Sequence, residues 1–296
     1  MSSSDGSVAS AEFGSDVQLG GTNLEVAYPG WGTWCIEPSG GPRVVVDPCV
    51  TPLLDDPCAS LPDVAADIVL LTHGHHEHIR DVHWLPYDES TPIVAPPQVA
   101  TYLIEQRGMS ARRFSVIQPD EELELPGIRV VARSFPHLPK NDVAGKLGIL
   151  SRDNPLGAVS ILLRYGVRVA RAWTEIKDQP EGGPYLAYDI YFEQGPRVFV
   201  TCEAFTELLR VQQAVSWGRG EQAVDLALVG VESGQEGHAA CLLDSLGPRH
   251  ALGAAVHAPF ERFYGKPKVE ADAFVGRSSV PTGWLRAGER ARLAAG

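Results

Sequence analysis

The sequence predicts an α/β protein, an αββα sandwich in which two mixed β-sheets carry helices on their outer faces. Short apolar runs punctuated by Gly and Pro clusters dominate the first half of the chain, as strands and turns require. Strand-like and helix-like segments then alternate in the second half. Strands first and a strand–helix alternation afterwards indicate two packed sheets with a helix layer outside each.

The first half supplies most of the predicted strands. These are short apolar runs between turn residues, namely LEVAY (24–28), RVVVD (43–47), ADIVLLT (66–72), PIVA (92–95), RFSVI, EELELPG and IRVVARSF. One helix is predicted among them, over PPQVATYLIEQRG (96–108). Pro stands at its start, apolar residues recur at helical spacing, and Gly stands at its end.

The second half predicts the remaining elements. Residues 138–184 are irregular and rich in Gly, Pro and Asp, and this stretch is too long for a simple connection. We therefore expect a lid-like insertion there. Residues 185–203 predict two strands joined by a turn at Gly195–Pro196. Alternating helices and strands follow, and WLRAGERARL predicts a last strand.

Length and composition indicate the domain organisation. The chain has 296 residues, of which 44% are hydrophobic and 21% charged, as in ordinary globular proteins. Its start, MSSSDGSVASAEFGSD, lacks the basic residues and apolar core of a secretory signal, so we expect a disordered lead-in over residues 1–18. Residues 19–296 are expected to form a single domain.

Charge and cysteine content limit the partners. The formal net charge of -12 argues against nucleic acid, whose phosphate backbone demands a basic surface. No run of about 18 apolar residues exists, so no membrane span is expected. The five cysteines form no C-x-x-C pair, which indicates reduced thiols in a cytoplasmic protein, with a Cys49–Cys58 disulfide as the alternative. We expect a small-molecule substrate, and a homo-oligomer is compatible with these observations.

The stretch LLTHGHHEHIRDVHWL (70–85) carries the strongest chemical signal. Four histidines and one glutamate stand within six positions, and they are His73, His75, His76, Glu77 and His78. Imidazole is a common ligand of zinc and iron. The cluster follows a buried-looking strand, and a short helix is expected to begin at HIRDVHWL. This spacing predicts two adjacent metal positions that would activate one water. A solvated, histidine-rich loop is the alternative.

The cluster also resembles a known family. T-H-G-H-H-E-H is similar to the T-H-x-H-x-D-H signature of the metallo-β-lactamase superfamily, whose fold is an αββα sandwich with a metal site at one edge. Weaker likenesses follow in the family's order over about residues 20–292. They are VVVDPCV (44–50), FPHLP, RVFVTCEAF, LGPRHALGAAVHAPF and LRAGERARL, the last similar to the closing strand of the sugar-phosphate lactonase branch.

The resemblance implies a site for two divalent metal ions. Zinc is the expected metal, and iron or manganese is the alternative. The implied ligands are His73, His75 and His137 for the first metal, Glu77, His78 and His257 for the second, and Glu203 as the bridge. His250 is the rival of His257, and it ranks lower because it stands at the start of its strand.

Two departures from the family pattern concern the metals. Glu77 and Glu203 both stand where the family usually has aspartate. The longer carboxylates reach farther, and carboxylate-rich sites favour iron or manganese over zinc. Two like changes at one metal position indicate a coordinated change, and the alternative is that the second metal has been lost. Cys202 is the alternative to Glu203, because an alignment shifted by one residue would make its thiolate the ligand. A buried, inert thiol is the simpler reading of Cys202.

Further residues are weaker candidates for the surroundings of the metals. Asp47 is expected to orient a ligand histidine. Trp31 and Trp34 lie on an early turn that either approaches the site or packs in the core. The other candidates face the substrate or solvent, line the pocket or form an apolar wall, and they are His76, His83, Trp84, Phe260, Phe263 and Tyr264.

These observations favour an enzyme. The first hypothesis is a metal-dependent hydrolase that uses a di-metal-bound hydroxide on an ester, lactone or related small-molecule bond, with Glu77 as the catalytic carboxylate. The second is a non-haem di-iron or manganese oxygenase or oxidase on the same fold, for instance in a biosynthetic pathway. The third is a non-catalytic ligand-binding relative. Every predicted ligand position keeps a metal-binding group, which disfavours the third hypothesis.

Overall fold

Two β-sheets pack face to face in the structure, which is a computed structural model. It describes residues 18–19, 22–50, 65–83, 88–135, 159, 163, 166, 180, 183–203, 211–219, 222–256 and 268–295. The strands, in chain order, are β1 (Gln18–Leu19), β2 (Leu24–Gly30), β3 (Thr33–Pro38), β4 (Val44–Val46), β5 (Ile68–Leu70), β6 (Ile93–Ala95), β7 (Phe114–Val116), β8 (Glu122–Leu125), β9 (Ile128–Ser134), β10 (Leu186–Phe192), β11 (Arg197–Thr201), β12 (Leu226–Val231), β13 (His250–Ala255), β14 (Thr282–Leu285) and β15 (Glu289–Ala295).

Both sheets are mixed. The first has eight strands in the order β1-β15-β2-β3-β4-β5-β6-β7, and it is parallel from β4 to β7. The second has seven strands in the order β14-β13-β12-β11-β10-β9-β8, antiparallel from β8 to β11 and parallel from β11 to β14. The last strand, β15, returns to the first sheet and pairs with β2. The predicted pair of mixed sheets is therefore confirmed.

Helices cover the outer faces of both sheets. They are α1 (His76–Ile79), α2 (Pro97–Glu105), α3 (Val211–Gly218), α4 (Glu236–Leu246) and α5 (Ala271–Val275). Alternate residues of each strand face opposite ways. In β5, Ile68 and Leu70 enter the core between the sheets, whereas Val69 packs under α2. The outward residues of β12 pack under α3, α4 and α5 in the same way. These layers confirm the predicted αββα sandwich.

The two sheets meet where the histidine-rich segment leaves β5. The Leu186 N–H, at the start of β10, donates to the Thr72 carbonyl at 3.0 Å. The Tyr188 hydroxyl donates to the Leu71 carbonyl at 2.6 Å. Both bonds join the second sheet to the chain that follows β5. The carboxyl ends of β4, β5 and β11 therefore lie together at one end of the sandwich.

Several local expectations differ from the structure. The helix expected from HIRDVHWL begins earlier, at His76, and α1 is a single turn. It ends there because the Asp81 N–H donates to the Pro48 carbonyl at 3.3 Å, while Asp81 Oδ2 accepts from the Val50 N–H at 2.6 Å. The segment WLRAGERARL, expected to form one last strand, belongs to two strands, β14 and β15, and a turn that includes Gly288 separates them.

Two expected segments lie largely outside the described residues. Strand β1 begins at Gln18, the last residue of the predicted lead-in, and residues 1–17 are not among those described. Most of the predicted lid-like insertion, 138–184, is also outside them. The single domain and the lid therefore stay predictions. In the part of the chain that the structure describes, no helix is long and apolar enough to cross a membrane.

Candidate metal centre

Asp47 is the centre of the hydrogen bonds behind the histidines. It follows β4, is fully buried and has a φ of 48°, a left-handed conformation that aspartate tolerates better than most residues. Its Oδ1 accepts from the Thr72 N–H at 2.8 Å, and its Oδ2 accepts from the Thr72 hydroxyl at 2.5 Å. The same Oδ2 lies 3.1 Å from His78 Nδ1. One buried carboxylate thus orients a histidine, as expected for Asp47.

His78 lies between two carboxylates. Its Nδ1 is 3.1 Å from Asp47 Oδ2, and its Nε2 is 3.7 Å from Glu203 Oε1. Burial lowers the pKa of His78, but the charge and hydrogen bond of Asp47, the hydrogen bond of Glu203 and the charge of Glu77 raise it to about 10. The surroundings therefore stabilise a positive charge on this side chain. A divalent cation at Nε2 would meet the same electrostatic demand as the proton does.

The hydrogen bonds of Thr72 assign the tautomer of His73. Thr72 Oγ1 lies 2.9 Å from His73 Nδ1 and 2.5 Å from Asp47 Oδ2. The threonine hydroxyl has one proton, which goes to the closer, charged acceptor. Its oxygen therefore accepts from His73 Nδ1–H, which leaves the lone pair on Nε2. Both His73 and His78 are then held from behind at Nδ1, with ring centroids 4.1 Å apart.

Cys202 and Glu203 lie on opposite sides of these rings. We call the Nδ1 side the rear and the Nε2 side the metal side. Cys202 Sγ lies 3.3 Å from Thr72 Oγ1 and 3.7 Å from His73 Nδ1, so the thiol is at the rear. Glu203 Oε1 approaches His78 Nε2, on the metal side. This geometry favours Glu203 over Cys202 as the residue that faces a metal.

The Cys202 thiol is also electrostatically unsuited to ionise at the rear. Burial, followed by the negative charges of Asp47 and Glu203, raises its pKa well above the usual range of a thiol. A thiol that stays protonated is a weak hydrogen-bonding group and a small hydrophobe. Cys202 therefore fills space behind His73.

The donor set suits a transition metal. Four buried side chains offer ligand atoms that all lie within 4.8 Å of one another, and they are Asp47, His73, His78 and Cys202. This group contains rear atoms, and Glu203, also fully buried, adds carboxylate oxygens on the metal side. Imidazole and carboxylate together bind zinc, iron and manganese. A carboxylate behind a ligand histidine is the usual support of such sites.

Two glycines make room for the site. Gly32, in the turn between β2 and β3, has a φ of 82°, and a Cβ there would lie 3.1 Å from His78 Cε1. The turn in PGWGTW therefore approaches the site. A Cβ on Gly230 of β12 would lie 1.6 Å from the Cys202 carbonyl oxygen. Trp34, in contrast, is core, with its ring centroid 4.8 Å from that of Tyr28.

Tyr185 stands beside the histidines and was not singled out by the sequence. Its ring centroid lies 5.3 Å from that of His73 and 6.0 Å from that of His75. Burial, and then the charge of Glu203, raise the pKa of its phenol. No local motif marks this tyrosine, because the docking of β10 on the histidine segment creates the contact.

The other predicted ligands of the histidine segment are close by. His75 is buried, and its ring centroid lies 4.6 Å from that of His73. Glu77 is half-buried on α1, and its charge acts on His78. His76 is buried and His83 half-buried.

Thr72 is a further residue that the sequence analysis passed over, although it stands between the strand and the first histidine.

Several predicted residues lie outside the described part of the chain. They are His137, His257, Trp84, Phe260, Phe263 and Tyr264. Their roles, and with them the complete ligand sets, stay predictions. His250, the rival of His257, pairs with Leu226 at the amino ends of β13 and β12. It therefore lies at the opposite edge of the sheet from Glu203.

Comparison with known sequences finds relatives over a segment of the chain. No protein-family model matches. A UPF0173 metal-dependent hydrolase of Anoxybacillus flavithermus is 35% identical over 82 residues, which are 27% of this chain and 35% of that protein. The UPF0173 metal-dependent hydrolase Ta0764 of Thermoplasma acidophilum is 30% identical over 117 residues, 39% of this chain and 48% of that protein. The chain thus matches less than half of the length of either relative.

Solved structures match nearly the whole chain at low identity. Igni18, a metallo hydrolase of Ignicoccus hospitalis, has a TM-score of 0.59 and 15% identity, over 92% of this chain and 98% of that one. The metallo-β-lactamase fold protein YhfI of Bacillus subtilis has a TM-score of 0.53 and 13% identity, over 92% and 99%. CmlA, a diiron β-hydroxylase of Streptomyces venezuelae, has a TM-score of 0.54 and 15% identity, over 93% and 54%.

These likenesses cover nearly the whole of this chain, including both sheets and the histidine segment. At such identities they concern the fold, and the predicted likeness to the sugar-phosphate lactonase branch stays a prediction. The two mixed sheets, their outer helices and T-H-G-H-H-E-H at one end of the sandwich lead to one conclusion. The chain is a protein of the metallo-β-lactamase fold.

Proposed function

We propose that this protein is a metal-dependent hydrolase that acts on an ester, lactone or related bond of a small molecule. The observation that carries the proposal is the placement of His78 between Asp47 and Glu203. Two buried carboxylates on one imidazole favour a cation at its outer nitrogen. The relatives that match residues of this chain are themselves called metal-dependent hydrolases, which supports the same class.

The proposed ligand sets follow the resemblance. His73, His75 and His137 would hold one metal, Glu77, His78 and His257 the other, and Glu203 would bridge them. A pair of divalent metals in such a site polarises a carbonyl or phosphoryl oxygen and lowers the pKa of water. The chain's own residues supply the rest of the chemistry.

Three side chains have proposed tasks besides ligation. Asp47 keeps the proton on His78 Nδ1, so Nε2 stays available to a metal. Thr72 does the same for His73 through its hydroxyl. Glu77, half-buried on α1, would exchange a proton at its carboxylate oxygen with the attacking water or the leaving group.

A second candidate function is a non-haem di-iron or manganese oxygenase or oxidase. The specific observation in its favour is glutamate at both position 77 and position 203, because carboxylate-rich sites suit iron and manganese. CmlA, one of the proteins of similar structure, is a diiron β-hydroxylase. Metal identity separates the two candidates.

The test is metal content combined with activity on defined substrates. The full chain is purified without chelator or added metal, analysed for elements, and assayed with 4-nitrophenyl acetate and a panel of lactones. His73→Ala is compared with His238→Ala, a matched change of an exposed histidine on α4. We expect zinc and hydrolysis in the wild type and in His238→Ala, and loss of both in His73→Ala. Iron or manganese without hydrolysis would support the second candidate. Metal and activity retained in His73→Ala would overturn both.

A further inference from the structure

The chain just before β10 lies along the histidine segment. A Cβ on Gly74 would lie 2.5 Å from Pro180 Cγ, so Pro180 packs directly on the backbone of that segment. The Leu186 N–H donates to the Thr72 carbonyl at 3.0 Å. Two points of this approach are therefore fixed against the candidate metal centre, and Tyr185 stands between them.

Tyr185 is placed to touch a molecule bound at the metals. Its ring centroid lies 5.3 Å from His73 and 6.0 Å from His75, two of the proposed ligands of one metal. Its carbonyl accepts from the Phe135 N–H at 2.8 Å, which fixes the backbone. The residue is half-buried, so part of it is exposed. Pockets for small molecules commonly combine an aromatic wall with a few directed polar groups.

Two neighbouring tyrosines lack this position. Tyr188 is fully buried, and its hydroxyl donates to the Leu71 carbonyl at 2.6 Å, a bond that joins the sheets. Tyr191, near the far end of β10, lies with its ring centroid 3.9 Å from the Arg129 guanidinium carbon. Among the described ring contacts of these three tyrosines, those with proposed metal ligands belong to Tyr185.

We propose that Tyr185 contacts the substrate. Its hydroxyl donates a hydrogen bond to an oxygen of the bound molecule, and its ring packs against the apolar part next to that oxygen. This inference rests on the proposed hydrolase function. It implies a substrate with a carbonyl or phosphoryl oxygen flanked by an apolar group. The phenol is a neutral donor, and a donor near an oxygen that gains charge stabilises the transition state more than the ground state.

The experiment compares Tyr185→Phe with Tyr191→Phe. Each change removes one hydroxyl and keeps the ring, and the two residues lie at opposite ends of β10, Tyr185 just before the strand and Tyr191 near its far end. Three quantities are measured for the full-length, metal-containing protein. They are metal content by elemental analysis, the Kd of the metal-chelating probe acetohydroxamic acid by calorimetry, and kcat/KM for 4-nitrophenyl acetate. The probe reports binding beside the metals independently of turnover.

We expect metal content to be equal in the wild type and both variants. Tyr185→Phe should weaken the probe about 5-fold and lower kcat/KM about 10-fold, the effect of one lost hydrogen bond, and Tyr191→Phe should change neither. An unchanged Kd and kcat/KM in Tyr185→Phe would overturn the role of Tyr185 alone, and a loss of metal in that variant would show a structural role instead. If the wild-type protein contained no metal, did not bind the probe and did not hydrolyse the ester, both the proposed function and this inference would be overturned.

Discussion

His78 and Asp47 form a fully buried pair in which Nδ1 of the imidazole lies 3.1 Å from Oδ2 of the carboxylate. Because this contact occupies the inner nitrogen, the outer nitrogen is directed toward Glu203, whose Oε1 lies 3.7 Å from it. The pair thus decides which nitrogen of His78 a metal can meet. Thr72 also holds Asp47 in place, through its N–H and its hydroxyl. The arrangement therefore depends on four residues, of which three follow strands of the two sheets and one, His78, lies on α1.

Asp47→Asn should weaken metal binding without removing a proposed ligand. The amide keeps the shape of the side chain but not its charge, so the pKa of His78 falls and its orientation is less well defined. Loss of such a supporting carboxylate costs about 10- to 100-fold in metal affinity. Competition with a chromophoric chelator measures the affinity. Asp88→Asn, at an exposed carboxylate, is the control, and equal affinities in the two variants would contradict the supporting role.

The metal-free protein should lose stability as the pH rises from neutral. His78 has a folded-state pKa of about 10, raised above its usual value of 6.5. A histidine with a raised pKa contributes stability that is complete below the unfolded pKa and is lost as the pH rises through the folded pKa. Thermal unfolding of chelator-treated protein between pH 6 and pH 8.5 should therefore show a falling Tm, in a window that precedes most thiol and phenol ionisation.

His78→Gln supplies the control for this pH dependence. The glutamine variant lacks the titrating group, so its Tm should be lower than that of the wild type at pH 6 and should change less with pH. Parallel pH profiles for the wild type and the variant would mean that His78 is not protonated between its two carboxylates.

Gly230→Ala should destabilise the fold and displace the metal-side carboxylate. A Cβ on Gly230 would lie 1.6 Å from the Cys202 carbonyl oxygen and 2.2 Å from Val256 Cγ2. The chain that carries Glu203 must move, and overpacking of this kind costs about 1–3 kcal/mol. Chemical denaturation and metal content check both effects. At Gly237, a new Cβ would lie 3.3 Å from the Arg277 guanidinium, the one contact outside the helix within 4 Å among the described residues. Gly237→Ala should therefore keep both quantities near the wild-type values.

The fold was predictable because its signals are local. Apolar runs such as ADIVLLT and the helix over 96–108 are short, contiguous patterns, and they correspond to β5 and α2. The histidine segment was equally visible, since its residues stand next to one another. The end of α1 was not visible in the sequence, because it depends on hydrogen bonds between Asp81 and the distant residues Pro48 and Val50.

The surroundings of the histidines were harder to predict because they are assembled from distant segments. Thr72 and Cys202 are 130 positions apart, yet their side chains are 3.3 Å from each other. Tyr185 reaches His73 only because the sheets dock through the Leu186–Thr72 bond. Asp47 was the exception, since Asp-Pro after a strand resembles the family pattern. The sequence predicts Glu203 as the ligand and leaves Cys202 as the alternative, whereas the sides of the imidazole rings distinguish the two residues.

That distinction yields the sharpest prediction for the second metal. Cys202→Ser should keep the wild-type metal content, because Sγ lies at the rear, 3.7 Å from His73 Nδ1. Glu203→Gln should lose one metal, because its carboxylate is on the metal side beside His78. Elemental analysis counts the metals, and cobalt substitution adds a spectroscopic readout, since a thiolate ligand would add a charge-transfer band. Cys241→Ser, at an exposed thiol, is the control. A charge-transfer band that vanishes in Cys202→Ser, together with full metal content in Glu203→Gln, would show that Cys202 is the metal ligand and Glu203 is not.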